Sequence, residues 1–180
     1  MRRLSAAFAV AYCLAMGGEA LAAQTSCPLV AARYNLIGYP NFSANFQSTP
    51  SAPGWETDVA LRVNADGRSY WFMFDESGAA GDVSLIPATD PSSPGWRPPS
   101  LTGPGARVAQ ESGYYAMDDA LNVRSETPHA GAVAPTYFLA PDLAAVIADD
   151  PSLSRDSRVR MPKALFKLSY CQSQMARVDP

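Results

Sequence analysis

The chain has 180 residues, with 14 Lys and Arg against 17 Asp and Glu, one His and three Cys, for a formal net charge of −3. An acidic balance argues against nucleic acid as a partner, because phosphate binding needs a net or locally basic surface. One His leaves a zinc site dependent on carboxylates, and no metal or other cofactor is expected. The 16 Pro and 12 Gly point to turns and short strands rather than long helices.

Met1-Arg2-Arg3 is a short positive start, and an apolar stretch from Leu4 to Met16 follows. That stretch is too short to cross a bilayer as a helix, which takes about 20 residues. Ala20-Leu21-Ala22-Ala23 then gives a small-x-small pattern that a signal peptidase cuts after Ala22 or Ala23. Residues 1–23 read as a cleaved secretory signal and 24–180 as a single domain, periplasmic or secreted. No later segment is apolar enough to span a membrane. Cleavage removes Arg2, Arg3, Glu19 and Cys13, which makes the remainder more acidic and leaves Cys27 and Cys171 near opposite ends. In an oxidising compartment this pair is expected to bridge, with two unpaired thiols as the alternative.

Taken in chain order, the strand candidates begin with Val30, Ala32, Tyr34 and Leu36, which alternate with Ala31, Arg33, Asn35 and Ile37. Phe42, Ala44 and Phe46 alternate with Ser43, Asn45 and Gln47. Thr57 to Phe74 reads as a hairpin around Asn64-Ala65-Asp66-Gly67. With Val63 opposite Arg68, Val59, Leu61, Tyr70 and Phe72 share one face. Asp58, Ala60, Arg62, Ser69, Trp71 and Met73 take the other. Asp82–Ile86, Tyr114–Met117 and Thr136–Leu139 are shorter strands. Pro87 to Gly105, with six prolines, is a long surface loop. Pro141 and Asp142 open a short helix that carries Leu143, Val146 and Ile147 on one face and ends at Asp149-Asp150-Pro151. Ala164, Phe166, Leu168 and Tyr170 form a last strand. The expected fold is mainly β, an antiparallel β-sandwich or open barrel with one short helix.

Trp71 on the second face of the hairpin, with Arg62 and Asp58 beside it, suits stacking on a sugar or apolar ligand. Trp96 and Trp55, in Gly/Pro-rich contexts, are further loop-borne contacts. The opposing reading is that the proline-rich loop or another sheet covers Trp71. Ser125, Glu126 and His129 lie close in sequence, but without a Gly-x-Ser-x-Gly elbow they make a poor nucleophilic triad. The acid pairs Asp75-Glu76, Asp118-Asp119 and Asp149-Asp150 do not converge by themselves, since neighbours on a strand face opposite ways. A basic stretch holds Arg155, Arg158, Arg160, Lys163, Lys167 and Arg177. Asn41-Phe42-Ser43 matches an N-glycosylation acceptor. The sequence thus favours an exported, non-catalytic module that binds a protein or glycan through Trp71, Arg62 and Trp96. The alternative is a small hydrolase using Asp118, Asp119 and His129.

Overall fold

Residues 26–76, 82–100, 111–149 and 159–172 are described by the computed structural model. The alternating segments become β1 (Ala32–Leu36), β2 (Tyr39–Ser48), β3 (Val59–Ala65), β4 (Arg68–Asp75), β5 (Val83–Ala88), β6 (Ser112–Met117), β7 (Val123–Arg124), β8 (Tyr137–Leu139) and β9 (Phe166–Cys171). Residues 1–25 with Cys13, residues 101–110, which take in the end of the expected 87–105 loop, and Asp150, Arg155, Arg158 and Arg177 lie outside the described residues.

Each strand from β1 to β6 pairs antiparallel with the next, β6 pairs with β8, β8 with β9, and β9 with β1. The sheet therefore closes into an eight-strand barrel, with β7 outside it on β6. The mainly β content, the short helix and, of the two expected architectures, the barrel rather than the sandwich are present; the barrel goes further than expected in closing on itself. Closure comes from the β1–β9 and β5–β6 pairings, which leave no free edge on the barrel strands they join.

In the β3–β4 hairpin, Val63 pairs with Tyr70 and Ala65 with Arg68, two residues away from the expected register. Asp66 and Gly67 have φ of 48° and 79°, so the loop is a two-residue turn of the type I′ kind rather than a longer loop closed by a bulge. An even shift preserves the faces. Val59, Leu61, Val63 and Phe72 still point inward and are buried.

Aromatic rings fill the interior. Phe138 stacks on Phe166 with centroids 4.6 Å apart and stands 5.1 Å from Tyr34 and 5.5 Å from Tyr114. Phe46 stacks on Phe74 at 5.9 Å. An eight-strand barrel is just wide enough to be filled by side chains or to hold one small ligand; here the side chains take the space.

Both ends are covered. At the end where β1, β3 and β8 begin, Cys27 and Cys171 form the expected disulfide, with Cα atoms 5.7 Å apart. The segment after β7 crosses this end as a strap. Thr57 donates its hydroxyl to the Pro128 carbonyl at 2.8 Å, and Ala130 N–H donates to the Asp58 carboxylate at 2.7 Å. Leu29 N–H reaches the Ala132 carbonyl, Ala134 N–H the Cys27 carbonyl, and the Tyr34 hydroxyl the Pro135 carbonyl at 2.9, 2.8 and 2.9 Å. Thr127 also donates to Glu76. At the other end lies α1 (Leu143–Ala148), whose Leu143 and Ile147 enter the core with Val159 and Met161. Among the described residues no helix is long and apolar enough to cross a membrane.

Candidate functional site: an outward tryptophan patch

The outward residues of the central hairpin are mixed in chemistry. Ala60 lies opposite Met73, and Arg62 opposite Trp71, which in turn pairs with Ala88 of β5. Ala60, Trp71 and Met73 form a second apolar cluster, separate from the barrel core, onto which Trp55, Ala88 and Trp96 pack. Trp55 comes from the β2–β3 connection and Trp96 from the proline-rich loop. All three tryptophans of the chain thus meet on one outer patch.

Burial grades across it. Trp71 is only 8 % exposed, whereas Trp55 and Trp96 are half-buried. The expected cover for Trp71 is therefore present, and it is made by two further tryptophans. The Arg62 guanidinium stands 5.4 Å from the centroid of Trp71. Its Nε and Nη2 donate to Ser69 Oγ at 3.1 and 2.8 Å, which fixes the fork against the ring. Ser69 Oγ donates onward to Asn64 Oδ1 at 2.9 Å, and Asn64 Nδ2 to Ser43 Oγ at 3.2 Å.

The loop bearing Trp96 is held by its own hydrogen bonds. Ser93 N–H donates to the Asp90 carbonyl, Trp96 N–H to the Ser93 carbonyl, and Trp96 Nε1 to the Thr89 carbonyl at 3.1, 3.0 and 3.1 Å. Asp90 accepts the Ser92 hydroxyl and N–H, which hold its carboxyl below the usual range, with a smaller contribution from Arg62. Asp58, the third residue expected beside Trp71, instead spends its carboxylate on Ala130 of the strap.

The residues of the hydrolase alternative are placed differently. Asp118 accepts from Ala120 N–H, Asn122 N–H and Asn122 Nδ2, each at 2.9 Å, and the Asn122 side chain leads in holding its carboxyl low. That carboxylate caps its own turn. Asp119 and His129 are exposed, the latter on the strap, and no hydrogen bond joins Asp118, Asp119 and His129 among the described residues. Nor, among those residues, does any group of three His, Cys, Asp or Glu side chains stand ready to hold a metal ion. Asn41 is exposed on β2.

Two hollows remain. Beneath the strap, Leu29, Tyr114, Ala116, Arg124, Pro128 and Pro135 line a cavity of about 30 Å³. That is far below the several hundred Å³ of a typical small-molecule site. An open groove of about 430 Å³ follows the β1–β2 turn, lined by Asn35, Ile37, Tyr39, Lys167 and Ser169 among others.

Sequence reasoning singled out Trp71, Arg62 and Trp96 but not the meeting of Trp55 with them, nor the groove. The glycines and prolines around Trp55 were the available signal, since they let the connection fold back over β3. Compared with known proteins, the chain matches no family model, no curated protein and no solved structure.

Proposed function

We propose that this protein is an exported, non-catalytic binding module that recognises its ligand on the outside of the barrel, at the patch of Trp71, Arg62 and Trp96. The convergence of all three tryptophans on one outer face carries this reading. Aromatic rings framed by a fixed guanidinium supply a broad contact area with directional polar groups at low entropic cost. The filled interior and sealed ends support the same reading, because they leave recognition to the exterior. The Cys27–Cys171 bridge is compatible with an oxidising, exported setting.

The test is binding of the wild-type chain and of Trp96→Ala and Arg62→Ala to an immobilised glycan array. Wild-type binding that falls about ten-fold in both variants supports the module, a loss matching one well-made polar or aromatic contact. Wild-type binding that both variants retain in full removes the patch from the site.

A further inference from the structure

The patch is one edge of a larger surface. No Asp or Glu occurs in β9, β1, β2 or β3, although the chain as a whole is acidic. Apart from Ala60 at the start of β3, their outward side chains are chiefly amides, hydroxyls and cations. One cross-strand row runs Tyr170–Arg33–Asn45–Arg62–Trp71. The neighbouring row runs Tyr137–Lys167–Asn35–Ser43–Asn64–Ser69. At adjacent-strand spacing, β9 to β4 covers about 20 Å.

Arg33 and Arg62 are held on this face by hydrogen bonds. Arg33 donates through Nη1 to the Val30 and Ala32 carbonyls at 3.3 and 3.0 Å, and through Nη2 to Gln172 Oε1 at 3.0 Å. Arg62 is tied to Ser69, and the Ser69–Asn64–Ser43 chain continues toward β1. Lys167 Nζ stands 5.7 Å from the centroid of Tyr137. The open groove lies at the far end of the same face, where Lys167, Asn35 and Ser169 meet the exposed ring of Tyr39.

We infer that this face binds an acidic polysaccharide lying across the strands, from the Lys167–Tyr39 groove to the Arg62–Trp71 patch. The inference rests on the reading of the barrel as an outside-binding module. Lys167, Arg33 and Arg62 receive the anionic groups of the polymer. Asn35, Asn45 and Ser43 exchange hydrogen bonds with its hydroxyls, and Tyr39 and Trp96 offer ring faces to its sugars. Strands without Asp or Glu on an acidic protein give charge complementarity to such a chain, with the Asp90 carboxylate of the Trp96 loop the acid that acts on Arg62 at the patch end. Ordering of Arg33 and Arg62 before binding lowers the entropy lost on contact.

The experiment titrates the wild-type chain with polygalacturonate, with its methyl-esterified form, and with dextran sulfate as a second anionic source. Polygalacturonate is expected to bind, to weaken as salt is raised, and to lose its binding on esterification. Lys167→Met and Arg33→Ala each weaken it about ten-fold, as loss of a charge-assisted contact does. Arg160→Ala, at an exposed cation outside the strands of the face, leaves it unchanged. Tighter binding of dextran sulfate, with the same variant dependence, keeps the acidic class and assigns the sulfate. Equal binding of the ester overturns the inference, as does an effect of Arg160→Ala equal to that of Arg33→Ala. If neither anionic polymer binds while a neutral glycan binds and depends on Trp96, the acidic ligand is wrong and the module reading survives. Circular dichroism of each variant separates lost binding from lost folding.

Discussion

The outer face of β3–β5 and the outer face of β9, β1 and β2 stand on one barrel and follow one alternation, yet the first is roofed and the second bare. Ala60, Trp71, Met73 and Ile86 leave apolar surface on the first, and two loops rich in proline and glycine fold back to cover it. On the second, Arg33, Asn35, Ser43, Asn45 and Lys167 are polar and need no apolar cover; Arg33 bonds to the Val30 and Ala32 carbonyls and to Gln172, and Ser43 accepts from Asn64. The outward residues of a strand decide whether a loop becomes structure or stays away. A roofed face contributes to stability and presents the roof to a partner; a bare polar face contributes little to stability and is available for contact.

The sharpest way to break that contrast is to weaken the whole barrel and ask whether the faces part. Reducing Cys27–Cys171, which closes a sequence separation of 144, is expected to lower stability by about 4 kcal/mol on the chain-entropy view. Tryptophan fluorescence reports the roofed face alone, since all three tryptophans lie there, while far-ultraviolet circular dichroism reports the barrel. Urea transitions by the two probes should shift together; a separate, earlier fluorescence transition would show the roof to be an independent unit.

Next in size, Trp71→Ala removes a buried ring from beneath the roof and is expected to cost about 3 kcal/mol, whereas Asn45→Ala on the bare face stays within about 0.5 kcal/mol. Equal losses in urea melts would erase the distinction between the faces.

The inner face offers a contrast of sign. Burial raises the phenols of Tyr34 and Tyr114 above their usual range, and Tyr34 is lowered only in part by Arg124. Tyr34 donates to the Pro135 carbonyl, whereas the buried Tyr114 hydroxyl meets no acceptor among the described residues. Tyr34→Phe should therefore destabilise by about 1–2 kcal/mol, while Tyr114→Phe is neutral or stabilising by up to about 1 kcal/mol. A phenol whose folded pKa is raised contributes stability that is complete below the unfolded value and fades above it. Stability should thus fall as pH climbs past about 10, and the fall should be smaller in each Phe variant.

The smallest effect expected is at the roof itself. Trp96→Ala should cost about 1 kcal/mol or less, because Trp96 is half-buried, and should red-shift the remaining emission as Trp71 gains water. An unshifted spectrum would mean that Trp96 does not shield Trp71.

These contrasts also mark what could be read from residue order. Strand alternation carries the faces of the hairpin, so Val59, Leu61 and Phe72 were legible as inward and Trp71 as outward. Register was legible only to within two residues, because Asn64 and Ala65 could belong to loop or strand, and either choice keeps the faces. Closure was not legible: it depends on β1 meeting β9 and β5 meeting β6 across long intervals, and no local pattern encodes that. Two-residue β7 has no period to detect. The strap was invisible for another reason, since its ties run through the carbonyls of Pro128 and Ala132, which any residue could supply, and the N–H of Ala130, which any residue but proline could. At the candidate site, Trp71, Arg62 and Trp96 could be named singly, but their meeting with Trp55 follows from loop paths that composition does not fix.

The most direct test of an outside-binding barrel is an amide and indole NMR titration of the wild-type chain with polygalacturonate oligomers. The account predicts that shifts confine themselves to Arg33, Asn35, Asn45, Arg62, Lys167 and the indoles of Trp71 and Trp96, with the core around Phe138 and the strap near His129 unmoved. Shifts centred on the strap and its cavity, or no shifts at concentrations that saturate a weak glycan site, would contradict it.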